Sequence, residues 1–199
     1  MKERPILFSA PMVRAIIEWR KTQTRRVVKP VGNDDAFVLL DHGTGFWPYR
    51  SDDGESSITA DGNEAPHYCP YGQPGDRLWV REAFHGYHWD QPRAVYRADG
   101  ECQRVRTQIE SYEVGRWTPS IHMPRWASRI TLEVVCVRVE RLNDISVSEA
   151  IAEGYDGSVD DPIDPSVKWY AQLWESINGS GSWAANPWVW VVEFKRVQA

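Results

Sequence analysis

Between Arg129 and Leu142 the chain reads Arg-Ile-Thr-Leu-Glu-Val-Val-Cys-Val-Arg-Val-Glu-Arg-Leu, and this run constrains the fold more than any other. Ile130, Leu132, Val134 and Cys136 alternate along one face, and Val135, Val137 and Val139 occupy the other. β-Branched side chains are stiff at χ1 and pack well on a pleated surface, so the alternation predicts a strand. Apolar residues on both faces near its middle put that strand in the centre of a sheet.

The remaining elements are read around it. Arg4–Phe8 suits a short strand, after which Ser9 can cap a helix with Pro11 in its first turn and Met12, Ala15, Ile16 and Trp19 on one face. Gly75-Asp76 turns into a strand over Arg77–Glu82, where Leu78 and Val80 alternate with Arg77, Trp79 and Arg81. Ser146-Val-Ser-Glu149 is a capping box opening a short helix, Val147–Glu153, that Gly154 stops. A further helix is predicted over Ser166–Asn178, a closing strand over Trp188–Phe194 and another strand around Ala94–Ala98.

Residues 32–74 and 85–128 are richer in turn formers and isolated aromatics, and read as two long insertions within a single domain spanning 1–199. The first is expected to have an ordered base and mobile tips. Strands outnumber helices and irregular connections separate them. The expectation is therefore an α+β fold, a small β-barrel with flanking helices rather than a βαβ sheet.

Composition narrows the function. No run approaches the ~20 apolar residues that cross a bilayer, and Met-Lys-Glu-Arg-Pro at the start lacks a signal-peptide core, so a cytoplasmic protein is expected. Cys69, Cys102 and Cys136 are odd in number and widely spaced, which fits reduced thiols rather than a disulfide framework or zinc site. A net charge of −5 argues against coating long nucleic acid through bulk electrostatics, but leaves room for a small anion or nucleotide pocket. P-loop, dinucleotide-binding, zinc-protease and serine-hydrolase motifs are absent, and His85 and His88 lack a third ligand at a recognisable offset. No cofactor or metal is expected.

Against this acidic background Arg20-Lys-Thr-Gln-Thr-Arg-Arg26 bunches four cations with two hydroxyls. Lys21 can complement the negative end of the first helix while Arg25 and Arg26 form surface ion pairs. Alternatively, Arg20, Lys21, Thr22, Thr24, Arg25 and Arg26 build a site, with Lys21 and Thr24 sharing a pocket in a turn or helix end. Glu153 falls at the C-terminal end of its helix, where a carboxylate is misplaced by roughly 0.3–1 kcal/mol and the same field would raise its pKa. That favours a proton-transfer role. Arg77, Trp79, Arg81 and Glu82 lie on or beside one strand, and the Arg–Trp–Arg stripe can either stack on a nucleotide or serve as a solvated face. The spacing of Trp169, Trp174, Trp188 and Trp190 assigns them to the core.

Taken together, the Arg20–Arg26 block, Gly75-Asp-Arg-Leu-Trp-Val-Arg81, Ala150-Ile-Ala-Glu-Gly154 and Val189-Trp-Val-Val-Glu-Phe-Lys195 resemble, in order, the blocks of the ASCH domain family. The resemblance implies a PUA-like β-barrel and RNA or modified-nucleoside handling, in a longer form similar to phage and prophage members. Small bacterial members similar in these blocks are amidohydrolases of N4-acetylcytidine that use a Lys, a Thr and a Glu. The resemblance places those roles on Lys21 as base, Thr24 as nucleophile and Glu153 as proton shuttle. Arg25 departs from it, standing where the small enzymes carry an apolar residue.

Two readings follow for a modified nucleoside or single-stranded nucleic acid as partner. One is a metal-independent amidohydrolase; the other is a non-catalytic PUA-like module that grips RNA or DNA. A phage interaction protein using the barrel only as a scaffold is a third. In the amidohydrolase reading Arg25, Arg26 or a backbone N–H would stabilise the oxyanion.

Overall fold

A computed structural model describes residues 1–29, 37–41, 46–50, 69–88, 92–100, 104–106, 111–157 and 165–197. Most of the insertion expected over 32–74, including its tips, and Cys102 lie outside the described residues.

The fold is α+β, built on a five-stranded sheet. Its strands are β1 (Glu3–Leu7), β2 (Gln23–Val27), β5 (Arg77–Arg81), β10 (Thr131–Arg141) and β11 (Trp188–Val197), in the order β1-β5-β10-β11-β2. β1 and β5 are parallel and every other pairing is antiparallel. The Arg129–Leu142 run thus becomes the middle strand. Among the described residues three strand pairs form outside this sheet: β3 (Phe37–Asp41) with β4 (Phe46–Arg50), β6 (Phe84–His88) with β7 (Pro92–Tyr96), and β8 (Arg104–Arg106) with β9 (Ser111–Glu113). All three arise from the two segments read as insertions.

One expectation about β10 fails at a single residue. The register slips between Val134 and Cys136, a β-bulge that leaves Val135 49% exposed. An extra residue reverses the alternation beyond it. Val137 and Val139 therefore join Leu132 and Val134 in one core, while Arg138 and Glu140 turn to the opposite face.

Each sheet face carries its own apolar layer. On the inner face Ile6, Leu78, Val80, Leu132, Val192 and Phe194 pack with Val13 and Ile16 of helix α1 (Ala10–Ile17). On the other, Val189 and Val191 pack against helices α2 (Val147–Ala152) and α3 (Ser166–Asn178) through Ala150, Tyr170 and Trp174. Burial from both sides explains the unbroken apolar run of β11. The sheet curls far enough for Arg26 Nη2 on edge strand β2 to donate to the Leu7 carbonyl on edge strand β1 at 2.6 Å. Among the described residues no backbone ladder joins these two edges and no closed barrel is found.

Candidate functional site

The basic run does not coil at the end of α1 as expected. The chain reverses at Trp19, whose φ of 64° is left-handed, and the Trp19 amide donates to the Ile16 carbonyl at 3.2 Å. The Arg20 and Lys21 amides both donate to the Ala15 carbonyl, at 2.9 and 3.0 Å. This is the Schellman arrangement with Trp where glycine usually sits. Trp19 is consequently 54% exposed rather than on the buried helix face, and the Arg196 guanidinium stands 5.5 Å from its ring centroid. The run then feeds directly into β2, where alternation governs it. Gln23 and Arg25 face α2, reaching Glu149, whereas Arg26 lies over the Phe8 ring of the inner core at 5.4 Å.

Lys21 meets the end of α2, not of α1. Its ammonium donates to the Glu153 carboxylate at 2.6 Å and to the Glu153 carbonyl at 2.9 Å. It therefore answers both negative features of that helix end. Gly154 makes the approach feasible: its φ is 108°, and a Cβ there would sit 3.1 Å from that of Ala15 and 3.3 Å from that of Lys21. The Thr22 amide ties the same junction to the Ala152 carbonyl at 2.9 Å. Burial pulls the Lys21 pKa down, with Glu153 opposing and Arg26 and Arg25 adding to the fall.

Arg25 is spent on carboxylates. Its fully buried guanidinium reaches Glu149 at 3.0 Å, Glu140 at 3.2 Å and Glu153 at 3.5 Å. Arg138 extends the chain by pairing with Glu140, Glu149 and Glu193. Alternating charge thus runs from the buried Lys21–Glu153 pair to the surface, with Arg25 as the hub of an ion network. The Nε atoms of Arg25 and Arg26 are both buried without a hydrogen-bond partner among the described residues.

Two spaces open at Glu153. A slot of about 50 Å³ between β2 and α3 is lined by Thr24, Arg25, Arg26, Glu153, Tyr170 and Trp174, among others. A cleft of about 520 Å³ on the other side is lined by Arg14, Glu18, Arg20, Glu153, Asp156 and Trp169. Arg20 helps shape that cleft while donating to the Gly154 carbonyl at 2.7 Å and to Glu18. Thr24 lines the slot and is 2% exposed. Lys21 stands behind Glu153 and lines neither space.

Tyr170 was missed by the sequence reading, since its helical spacing assigns it to the core. Its ring does pack there, but its hydroxyl lies beside Glu153 and its pKa is raised well above the ordinary value, by burial first and by Glu153 second. The signal that could have found it is chemical: a buried tyrosine hydroxyl needs a polar neighbour.

Other candidates lie elsewhere. Thr22 lines a separate hollow beside Glu193 and Phe194. Leu78 and Val80 point into the inner core, so Arg77, Trp79 and Arg81 occupy the opposite face of β5, away from Arg26. There the Arg81 and Arg125 guanidinium groups stand 5.4 and 5.9 Å from the Trp79 ring centroid. Glu82 belongs to no such stripe. It is 1% exposed and receives Arg129 at 2.9 and 3.1 Å, and Arg129 in turn holds Asp99. Burial pushes the Glu82 carboxyl up, against the pull of Arg129.

Among the described residues no group of three or more His, Cys, Asp or Glu could hold a metal ion, and no helix is long and apolar enough to cross a membrane. No family model, no curated protein and no solved structure matches this chain.

Proposed function

We propose that this chain is a PUA-like protein of the ASCH family that acts as a metal-independent amidohydrolase on N4-acylated cytidine-type nucleosides. The observation carrying this reading is a buried, charge-compensated Lys21–Glu153 pair in which Glu153 lines the same slot as the Thr24 hydroxyl. A buried ion pair is seldom a net gain in stability, because desolvation offsets most of the Coulombic attraction. At 2.6 Å from the Glu153 carboxylate, Lys21, whose pKa burial pulls down, is placed to hand a proton to it. In its neutral form the pair presents a free amine and a carboxylic acid, which are a base and an acid.

In this scheme Thr24 Oγ1 attacks the acyl carbon and its proton is relayed through the Glu153 carboxyl group to Lys21, which does not itself line the slot. The carbonyl π pair moves to oxygen, and the Nε groups of Arg25 and Arg26, which both line the slot and are both buried without a hydrogen-bond partner among the described residues, are the candidates to stabilise the resulting oxyanion. Collapse breaks the C–N bond as Glu153 delivers a proton to the leaving exocyclic nitrogen. Water then adds to the acyl-Thr24 ester, giving the carboxylic acid and restoring the hydroxyl. The sum is amide plus water to amine plus acid.

Incubation with N4-acetylcytidine and other acylated nucleosides, with products read by mass spectrometry, tests the reading. Wild type is expected to release cytidine, and Lys21→Ala and Thr24→Ala to lose turnover by ~100-fold or more while still binding. Retained activity in both variants contradicts the mechanism. A second reading draws on the Arg81–Trp79–Arg125 stack: a nucleic-acid-binding face, for which binding would weaken steeply with salt.

A further inference from the structure

Tyr170 of α3 joins the aromatic core to the chemistry. Its ring packs with Trp169, Trp174 and Trp183 at centroid separations of 6.4, 6.3 and 6.2 Å. The residue is 3% exposed, lines the slot with Thr24 and Glu153, and hydrogen-bonds the Glu153 side chain through its hydroxyl. Packing alone would be served by phenylalanine, and a buried hydroxyl is a cost unless it is bonded.

Lys21, Arg25 and Tyr170 all reach the Glu153 carboxyl group. Lys21 donates to Oε2 at 2.6 Å, and Arg25 makes a long contact to Oε1 at 3.5 Å while standing closer to Glu149 and Glu140. Lys21 does not line the slot, whereas Arg25 and Tyr170 do. These two differ in chemistry, because a guanidinium can only donate and a phenolic hydroxyl can donate or accept. In the scheme above Glu153 alternates between carboxylic acid and carboxylate. Arg25 can serve only the carboxylate. The Tyr170 hydroxyl can donate to the carboxylate and, by rotating its O–H, accept from the acid. It keeps its own proton in both states, since burial first and Glu153 second hold its pKa well above the ordinary value.

We propose, resting on the amidohydrolase reading, that Tyr170 is a positioning residue of the reaction, its hydroxyl holding the Glu153 carboxyl group in place for proton transfer in both protonation states. A ring set among three tryptophans gives that hydroxyl a fixed origin.

Tyr170→Phe tests the role, since it removes the hydroxyl and keeps the ring. With N4-acetylcytidine, kcat is expected to fall roughly 10- to 100-fold through misplacement of Glu153. KM should stay within about twofold, as for an interaction that matters in the transition state and not in substrate binding. The acidic limb of the kcat/KM profile should also move to higher pH, because a hydroxyl donated to a carboxylate favours its ionised form. Lys21, Arg25 and Arg26, the cations facing Glu153 and Tyr170, remain in the variant. Trp183→Phe, which alters the same aromatic cluster without touching the hydroxyl, is the packing control and should hold kcat within about threefold of wild type. Cleavage of no acylated cytidine by wild type removes the amidohydrolase reading and this role with it. Cleavage by wild type with kcat unchanged in Tyr170→Phe, with a loss confined to KM, with an unmoved acidic limb, or with an equal loss in Trp183→Phe overturns the role of Tyr170 alone.

Discussion

Lys21 carries a cation with no exposed surface, and the cost of placing it there is recovered only because Glu153 offers two acceptors. Its lowered pKa has a thermodynamic consequence with a definite sign. Between the depressed native value and the ordinary 10.5, the unfolded chain binds a proton that the native chain does not. Stability must therefore rise with pH across that window, by at most ~1.4 kcal/mol per pH unit from this group. Chemical denaturation of wild type beside Lys21→Met measures it. The wild type should show the extra alkaline gain and the variant should lack it, whatever their absolute stabilities. Parallel pH profiles would mean that Lys21 is protonated normally. The same scale separates Arg25 from Arg26, neighbours that look equivalent as letters. Arg25 is enclosed by three carboxylates, whereas Arg26 lies over the Phe8 ring and donates to the Leu7 carbonyl.

At the scale of elements, the turn at Trp19 and the stop at Gly154 bring α1, β2 and α2 together around Lys21. A side chain in the left-handed region costs about 1–2 kcal/mol relative to glycine, so Trp19→Gly is expected to raise Tm by a few degrees, ~2–4 °C per kcal/mol at this size. Loss of the Arg196 contact works against that gain, and a lowered Tm would show that the contact dominates. Gly154→Ala should do the opposite, lowering stability and turnover together, because its Cβ presses on Ala15 and Lys21. Unchanged activity in that variant would show that Lys21 is not held in place there. Helix ends were legible in advance: the Ser146–Glu149 capping box forms as read, and α3 runs from Ser166 to Asn178. Their signals are local, carried by hydroxyls, carboxylates and glycine. The bulge at Val135 and the turn at Trp19 were not legible, since a valine among valines and a tryptophan after a helix carry no local mark of either. Each is imposed by packing, and each redirected residues: Arg138 and Glu140 toward Arg25, and the Lys21 block into a strand.

Over the whole molecule, the candidate site was legible as a set of residue types and not as an arrangement. Lys21 and Thr24 were expected to meet within one local turn. Instead Lys21 reaches the slot only through Glu153, from a helix more than a hundred residues later in the chain. Tyr170 enters from a third element. The Arg77, Trp79 and Arg81 face lies apart, so Trp79→Ala should leave nucleoside turnover within about twofold of wild type while changing any binding of single-stranded nucleic acid. A large loss of turnover would join two surfaces that the fold keeps separate. The central claim, that Thr24 is the nucleophile of an amidohydrolase built on the Lys21–Glu153 pair, is tested most directly by rapid acid quench during turnover of N4-acetylcytidine, followed by peptide mass spectrometry. The account predicts an acetyl ester on Thr24 that is absent from Thr24→Ala. Steady release of cytidine with no acylation of Thr24, and with activity surviving in Thr24→Ala, would contradict it.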